Sequence, residues 1–557
     1  MLHTPHGRRG HRLIGAIAAA VLPLTLLISP STSGADTINP INLVAPTGLP
    51  GVAGLPGPVS PSFTVASSLG ALSVSPAEGV QGTPVTISGT GLAPNTSLAL
   101  EWSTSNVTWV ADVEPGTVNY LGRSASNMNV TLTTLTTDAT GAFHYSMKAP
   151  ADFGGLHTIY AVVNNVEVAQ GGFTLLRIVK VTPTSGPIGT PITITYTGIG
   201  ASLYTGGASV LYDNHYTGEM MANWTRGTAS IQIRASGPVG THYIAVGDAI
   251  SYLYMNIAQS PVPYVNNGGA VFHVTKDNGP TAARIDWPAN VAATVHQVTT
   301  FSSANVDPNS KAVATLSSNQ GPVNSKVNLN VTNLPVSGTL TLDWATVVGS
   351  RVNCYSTCWA FNSVPLGTAT ATNGTLNAAL NVPDGLGGWH EVQVLNGTSI
   401  EAQVSFYVKE SIVQVPNASA KGFTAGLATA HDTVAGLATG QAGVGTNTFH
   451  EGQEFTISIK GVGWTQLDNV LGVDYDNSYM GYGCGFNSNG YMVIHLNATG
   501  GVGTHLIDLY PMMYSLSPSF ANTPYGMVPV LSYARDYPGL ALGYHVPAIR
   551  FSIRVIK

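Results

Sequence analysis

The sequence is poor in charged residues. Only 9% of its 557 residues are Asp, Glu, Lys or Arg, and its formal net charge is −6, whereas soluble domains typically contain about 25% charged residues. Beyond the N-terminus it has no run of basic residues, so it lacks the positive patch that binds nucleic acid. Gly, Ser, Thr and Asn take the place of the missing charges. This composition predicts a surface of neutral hydroxyl and amide groups and no nucleic-acid partner.

Cysteine is also scarce, with three residues in the chain. Cys354 and Cys358 are close enough in sequence to form a small-loop disulfide if the chain is exported. Two thiols with no His between them are too few ligands for zinc, so we expect no metal and no cofactor. Cys484 aligns with Met221 in an internal repeat, which favours a buried apolar thiol at that position.

A long hydrophobic run occurs once, near the N-terminus. Arg8, Arg9 and Arg12 precede an apolar stretch at 13–28, and the small residues at 33–35 offer a cleavage site. This layout is typical of a secretory signal peptide. The alternative is an uncleaved anchor, because the stretch is just short of membrane-spanning length. We therefore expect a secreted or surface-displayed protein, which contacts a membrane only through this segment if it stays uncleaved.

Helical periodicity is nearly absent, and alternating patterns take its place. Residues 85–91 (VTISGTG), 192–198 (ITITYTG) and 455–461 (FTISIKG) place apolar side chains on one face and hydroxyl groups on the other. Such period-two segments, separated by turn residues, are typical of antiparallel β-sandwiches of about 100 residues. The sequence therefore predicts an all-β fold of tandem sandwiches.

The chain contains an internal duplication. Residues 189–246 align without a gap with residues 452–509, and 20 of these 58 positions are identical. Two further pairs of segments also match: 98–102 (LALEW) with 340–344 (LTLDW), and 154–157 (GGLH) with 387–390 (GGWH). The order is A–B–A′–B′, a two-domain unit that occurs twice. Modular arrays of this kind usually bind, space or assemble.

These matches predict the domain boundaries. We expect a signal peptide at 1–35, a Pro/Gly-rich linker at 36–71, domain A at 72–177, domain B at 178–277, a second linker at 278–312, domain A′ at 313–412 and domain B′ at 413–557. B′ differs from B by long insertions at 417–449 and in the connection at 510–544. Long loops are the usual place for added function, so we expect partner contacts there.

Two segments resemble a known family. Residues 74–92 (VSPAEGVQGTPVTISGTGL) and 181–194 (VTPTSGPIGTPITI) are similar to the opening of IPT/TIG-type bacterial immunoglobulin-like domains. The segment at 137–143 (TDATGAF), followed by a Gly-x-His strand opening, is similar to a later part of such repeats. B′ departs from the pattern, because it lacks the Pro-Ser-Gly-Pro opening. The resemblance implies an immunoglobulin-like fold at the cell surface or outside the cell, but it does not specify a role.

Candidate catalytic residues are few. The sequence has no Gly-x-Ser-x-Gly elbow, no His-Glu-x-x-His helix and no Gly-rich phosphate loop, so we expect no catalytic residues. One histidine occupies the equivalent position of each repeat: His157, His242, His390 and His505. For these residues a structural role at the edge of the sandwich is the stronger interpretation. Asp213 and Asp476 predict local Asx turns rather than calcium ligands, because calcium takes six to eight oxygens.

Tyrosine is enriched in B′, which makes this domain the strongest candidate for a binding surface. The candidates lie in one strand and in the connection at 510–544: Tyr475, Tyr479, Tyr482, Tyr514, Tyr525, Tyr533 and Tyr537. A tyrosine combines contact area with a polar tip, which suits sugar faces or protein interfaces. The alternative is that these rings hold a long loop on its own sheet.

We therefore expect a non-catalytic structural or adhesive protein. It would act by spacing, by self-assembly or by binding another surface protein or polysaccharide, since low charge reduces repulsion between copies and exposed strand edges can pair. The first alternative is a carbohydrate-binding surface protein that uses the B′ tyrosines. The second is an extracellular hydrolase with its site in the long loops.

Overall fold

The computed structural model describes residues 40–49, 59–60, 63–114, 117–202, 206–248, 253, 255–258, 265–295, 306–349, 359–419, 447–513 and 528–557. Nearly every regular element in these residues is a β-strand, so the prediction of an all-β fold of tandem sandwiches is confirmed. Short 3-10 turns occur at Phe486–Ser488 and Pro538–Leu542. The predicted signal peptide at 1–35 and the candidates Cys354, Cys358, Tyr514 and Tyr525 lie outside the described residues.

Sandwich A follows two short strands, β1 (Pro40–Leu43) and β2 (Val59–Ser60). Its own strands are β3 (Thr64–Ser75), β4 (Glu78–Gly79), β5 (Pro84–Gly89), β6 (Ser97–Glu114), β7 (Thr117–Thr136), β8 (Phe143–Lys148), β9 (Gly155–Val163) and β10 (Val166–Leu175). One face has the order β3-β5-β8 and the other has β7-β6-β9-β10. β3 joins the two faces, because its first half pairs with β10 and its second half with β5.

Sandwich B repeats this arrangement. Its strands are β11 (Ile178–Thr182), β12 (Ser185–Gly186), β13 (Pro191–Thr197), β14 (Gly207–Tyr212), β15 (His215–Met221), β16 (Thr228–Arg234), β17 (Gly240–Asp248) and β18 (Val265–Val274). A three-stranded sheet, β11-β13-β16, packs on a five-stranded sheet, β12-β18-β17-β14-β15. This three-plus-five division is typical of immunoglobulin-like sandwiches.

A short strand, β19 (Arg284–Asp286), precedes sandwich A′. A′ contains β20 (Val313–Leu316), β21 (Gln320–Pro322), β22 (Lys326–Thr332), β23 (Gly338–Gly349), β24 (Trp359–Ala371), β25 (Leu376–Asn381), β26 (Gly388–Asn396) and β27 (Ser399–Lys409). Its sheets are β20-β22-β25 and β21-β27-β26-β23-β24. The strand order is that of B, as expected for a repeated fold.

Sandwich B′ contains β28 (Ser411–Ala418), β29 (Thr448–His450), β30 (Glu454–Lys460), β31 (Val470–Tyr475), β32 (Ser478–Cys484), β33 (Met492–Asn497), β34 (Gly503–Met513), β35 (Val528–Pro529) and β36 (Ala548–Ile556). Its smaller sheet is β28-β30-β33. Its larger sheet is β19-β36-β34-β31-β32, with β29 beside β36 and β35 beside β34. Nearly all residues of β34 are buried, so this sheet is covered on both faces.

Alternation in the sequence explains which face each strand buries. In β13, Ile192, Ile194 and Tyr196 are fully buried and the intervening hydroxyl residues are partly exposed. Between β14 and β15, Asp213 and Asn214 both have positive φ, at 50° and 66°. Asp and Asn tolerate this conformation, and two such residues form the hairpin turn that matches the twist of the flanking strands.

The two predicted linkers supply strands. Residues 64–71, which the composition assigned to the first linker, form the first half of β3, and β1 pairs with β6. In the second predicted linker, β19 pairs with β36 of B′. A high Pro and Gly content predicts an extended chain, and an extended chain beside an exposed sheet edge completes the hydrogen bonds of that edge.

B′ contacts all three other sandwiches. The β6–β7 hairpin of A reaches it: Trp109 Nε1 donates to Asp536 Oδ1 at 2.8 Å, and the Tyr120 amide donates to Gln466 Oε1 at 2.7 Å. Trp109 and Tyr120 belong to the same hydrophobic cluster as Leu540 of B′. The first sandwich is therefore in direct contact with the last, and this contact buries both side chains.

A buried ion network joins B to B′. Arg234 of B pairs with Asp508 of B′, whose other carboxylate oxygen lies 3.2 Å from Arg550 Nη1. Arg550 Nε also pairs with Asp286 of β19 at 3.1 Å. Asp474 lies opposite Asp508 in the sheet, and burial together with that second carboxylate raises its pKa well above the usual value. These charged side chains lie where B meets B′.

Candidate binding groove at the A–B junction

The A–B and A′–B′ junctions are built on the same glycine contact. The amide of Gly154 donates to Ile199 O at 3.1 Å, and the equivalent Gly387 donates to Val462 O at 3.0 Å. A Cβ atom on Gly154 would lie 1.9 Å from the carbonyl oxygen of Gly198, so this approach requires glycine. The repeated Gly-Gly-x-His motif therefore fixes the second sandwich of each pair against the first.

The strand-opening histidine makes the same contact in all four sandwiches. Its Nε2 lies between 2.7 Å and 3.0 Å from the carbonyl oxygen four residues earlier. In each case the ring also stacks on an aromatic residue, and the four pairs are His157 with Trp102, His242 with Tyr212, His390 with Trp344 and His505 with Tyr475. These contacts are those of a structural residue that closes the turn before its strand.

Asp213 and Asp476 bond to the neighbouring strand. Asp213 Oδ2 lies 2.6 Å from His242 Nδ1, and its Oδ1 accepts a hydrogen bond from the Tyr243 amide at 2.8 Å. Asp476 makes the same two contacts with His505 and the residue that follows it. The predicted local Asx turn is therefore wrong, because the carboxylate of this hairpin turn bonds to the strand beside it.

A groove of about 670 Å³ opens at the A–B junction. It crosses the outer face of the larger sheet of A and reaches Ala201 of B. Its apolar wall includes Phe63, Val65, Met128, Phe153 and Leu156, and its polar wall includes Ser103, Ser105, Asn127 and Asn129. Tyr160 and Phe63 meet edge to face at one end, with ring centroids 4.9 Å apart.

Glu167 supplies a carboxyl group to the groove. The residue is 4% exposed, and its Oε1 has no hydrogen-bond partner among the described residues. Burial raises its pKa above the usual value. A buried carboxyl oxygen without a partner is unfavourable, so a ligand that donates a hydrogen bond to it would gain that stabilisation.

Beside the groove, a buried network fixes A on B. Asp152 accepts hydrogen bonds from Trp102 Nε1 and Thr104 Oγ1, each at 2.8 Å. Arg226 of B pairs with the same carboxylate at 3.0 Å. The residues equivalent to Asp152 and Arg226 in the second half are Gly385 and Asn489, so this ion pair belongs to the A–B junction alone.

The equivalent junction of A′ and B′ is filled. Trp464, which aligns with Ala201, is 1% exposed and lies 5.0 Å from the ring of His390. It forms a hydrophobic cluster with Ala345, Val347, Leu386 and Phe486. A separate cavity of about 290 Å³ at this junction lies beside Gly385 and Asn489, the equivalents of Asp152 and Arg226.

The two junctions differ position by position. The alignment and the strand register pair Ser103 with Ala345, Ser105 with Val347, Asn127 with Phe361, Glu167 with Ile400 and Ala201 with Trp464. At the first four positions a polar residue of the A–B groove corresponds to an apolar one. At the fifth, a small residue corresponds to the largest side chain. The same backbone frame therefore carries an open polar groove in one half and an apolar cluster around Trp464 in the other.

The predicted tyrosine surface is only partly exposed. Tyr475, Tyr533 and Tyr537 are buried, with at most 9% of each residue exposed. Tyr479 is half-buried against Tyr216 of B, and Tyr482 is 49% exposed. The structure therefore does not bring these rings together on one open face. Among the described candidates, Tyr475 and Tyr537 donate to backbone carbonyl groups of B′ itself. Tyr479 and Tyr533 contact B and the β19 strand.

Cys484 lies on the surface, at the end of β32. The expectation of a buried thiol is therefore wrong. Its alignment partner Met221 is half-buried and contacts the core cluster that includes B′ residues. The two positions have different environments because B and B′ bury different parts of equivalent strands.

Sequence reasoning missed the groove because no single motif marks it. Its residues come from five strands of A, from the residues just before β3 and β9, and from one loop of B. A usable indication was present in the duplication, where Ala201 aligns with Trp464 in a stretch that keeps the flanking Gly-x-Gly pattern. A small residue opposite a large buried one predicts a space in one copy of the fold.

Two further observations concern other kinds of site. Within the described ranges, no group of three or more His, Cys, Asp or Glu side chains is placed to hold a metal ion. Over the same ranges, no helix has the length and apolar character needed to cross a membrane.

Comparisons with known proteins do not identify a family for this chain. No protein-family model and no curated protein matches the chain. Among solved structures it is similar to E. coli alpha-2-macroglobulin, with 8% identity, a TM-score of 0.15 and coverage of 86% of this chain and 30% of that one. It is also similar to the ICAM-5 D1–D4 ectodomain fragment, with 9% identity, a TM-score of 0.16 and coverage of 87% and 99%. Scores this low carry no argument, so the immunoglobulin-like classification rests on the strand order of the four sandwiches.

Proposed function

We propose that this chain is an exported, non-catalytic adhesive protein of IPT/TIG-type immunoglobulin-like domains, which holds a partner in the A–B groove. The main support is the contrast between two equivalent junctions, of which one is open and polar and the other is packed and apolar. A junction that only joined two sandwiches would gain stability by burying apolar side chains, as A′–B′ does.

The frame around the groove favours binding. The Asp152–Arg226 pair fixes A on B, and the contacts of Trp109 and Arg234 tie both sandwiches to B′. A site held in place before the partner arrives loses little conformational entropy on binding. These contacts keep the two walls of the groove at a fixed spacing, which favours binding.

The experiment introduces the tryptophan that fills the A′–B′ junction at the equivalent position of the A–B junction. Ala201→Trp copies Trp464 and should fill the groove. Wild-type protein should sediment with envelopes of the cells that produce it, and Ala201→Trp should sediment about tenfold less, because about 1.4 kcal/mol of binding energy corresponds to a factor of ten. Incubation should release no soluble fragment of the partner.

Tyr482→Ala is the matched control, because this exposed residue lies in B′, outside the groove. It should sediment as the wild type does, and both variants should keep the wild-type melting temperature. Equal sedimentation of wild type and Ala201→Trp would refute the proposed site, and release of cleaved partner would refute the non-catalytic assignment.

Self-assembly is the second candidate function. The β23–β24 hairpin of A′ exposes 51% of Val348 and 48% of Phe361, whereas the β6–β7 hairpin of A carries the polar residues Asn106 and Asn127 at the equivalent exposed positions. Exposed apolar side chains favour contact between copies. Sedimentation velocity should then show concentration-dependent association that Val348→Ser with Phe361→Ser reduces. A single species at all concentrations would exclude this candidate.

A further inference from the structure

We propose that the ligand of the A–B groove is an extended, neutral oligosaccharide. This proposal rests on the proposed function of that groove as a binding site. The groove crosses β7, β6, β9, β10 and β3 in their order in the sheet. Neighbouring strands lie about 4.8 Å apart, so five strands span about 19 Å, which is roughly the length of four linked sugar rings.

The direction of the groove argues against an extended peptide. A peptide that binds a sheet as an added strand uses the free N–H and C=O groups of an edge. This groove instead lies over the face of the sheet, where those groups are already paired between strands. Recognition there depends on side chains.

The side chains present suit sugar hydroxyl groups. Asn127 and Asn129 offer amides that both donate and accept hydrogen bonds, and Ser105 offers a hydroxyl. Tyr160 and Phe63 present ring surfaces, which can cover the apolar face of a sugar. This mixture of apolar and uncharged polar groups matches a pyranose ring, which has an apolar face and hydroxyl groups around its edge.

Charge favours a neutral ligand. Among the described residues that line the groove there is no Lys or Arg, and Glu167 supplies the carboxyl group. The ring nitrogens of His157 each lie 2.7 Å from a backbone carbonyl oxygen, so they are engaged within the protein. An acidic polysaccharide would meet the Glu167 carboxyl group, and the guanidinium of Arg123, which reaches Ala201 at the edge of the groove, is already engaged by the carbonyl oxygen of that residue. A sugar hydroxyl would instead donate to the carboxyl group of Glu167.

The test uses the full-length mature protein and four neutral hexasaccharides: maltohexaose, cellohexaose, mannohexaose and N-acetylated chitohexaose. Calorimetric titration should detect binding of at least one at millimolar or lower concentration. Glu167→Gln should weaken it about tenfold, because one acceptor oxygen is replaced by a donor. Ala201→Trp should weaken it at least as much, because it occupies the groove. Glu451→Gln, at an exposed turn in B′, is the matched control and should bind as the wild type does.

Two results would overturn the assignment. One is that none of the four sugars binds the wild type at millimolar concentration. The other is that binding survives both Glu167→Gln and Ala201→Trp while near-ultraviolet circular dichroism shows both variants folded. If envelopes still retain the wild type but not Ala201→Trp, and the hexasaccharides do not compete, the groove remains the binding site and the sugar assignment alone fails.

Discussion

The A–B and A′–B′ junctions share a backbone and differ in their side chains. Both keep the glycine amide contact and the histidine that closes the turn beside it. They diverge at the positions that face the space between the sandwiches, where Ser105 and Glu167 correspond to Val347 and Ile400. The comparison teaches that the contact fixing two domains occupies only part of a junction. The remaining surface is free to become a core or a binding site.

The way each junction is held together follows from that difference. A–B relies on the buried Asp152–Arg226 pair and its hydrogen bonds. A′–B′ relies on the packing of Trp464 and Phe486. Burying apolar surface is favourable without partners, whereas a buried ion pair stabilises only while every member is satisfied. The open A–B junction is therefore held by polar contacts, and the closed A′–B′ junction by the packing of apolar side chains.

The largest loss of stability should come from removing the Trp464 side chain, which fills the A′–B′ junction. Trp464→Ala leaves a cavity in the apolar cluster of the A′–B′ junction, and large-to-small changes at buried Trp cost about 3 to 5 kcal/mol. Urea denaturation of the full chain should show this loss. The reciprocal Ala201→Trp, which fills existing space, should change the free energy of unfolding by less than about 1 kcal/mol. Equal losses for both would show that the two junctions are packed alike.

A smaller effect should appear as a pH dependence of the closed junction. Burial lowers the pKa of His390 to about 4 from its usual 6.5. The unfolded chain then takes up a proton near pH 6.5, and the folded chain only near pH 4. Stability should therefore fall as the pH drops from 6.5 to 4, by on the order of 3 kcal/mol from this residue.

His390→Gln tests that dependence, because glutamine does not titrate. The stability difference between wild type and His390→Gln should be constant above pH 7 and should narrow or reverse toward pH 4. Chemical denaturation at a series of pH values measures it. Parallel curves for the two proteins would show that His390 is protonated as easily in the folded state as in the unfolded one.

Local patterns predicted the elements of this fold well. The alternation at 192–198 became β13, with its apolar residues facing the core, and the duplication indicated equivalent sandwiches. These predictions succeed because strand periodicity and turn preference act over a few residues. The predicted domain boundaries stay a prediction. The pairing of β1 with sandwich A and of β19 with the more distant B′ was not visible in composition.

Contacts between domains could not be predicted in this way. The Arg234–Asp508 pair joins residues separated by 274 positions, and neither lies in a recognisable motif. Tyrosine suits both a binding surface and an internal contact, since it has an apolar body and a polar tip. Whether Tyr537 faces solvent depends on whether another domain covers its loop. That is a property of the tertiary arrangement.

The contact between Trp109 and Asp536 also sets the order in which the chain matures. These residues are 427 positions apart, which corresponds to roughly 20 to 90 s of synthesis at typical rates. The A hairpin is therefore made long before its docking surface exists, and Trp109 and Tyr120 stay open to solvent in that interval. Closing so long a loop adds little entropy cost beyond that of a shorter one, because the cost grows only logarithmically. We therefore expect docking of the A hairpin on B′ to be a late step of folding, and the chain to be most open to aggregation and proteolysis before it.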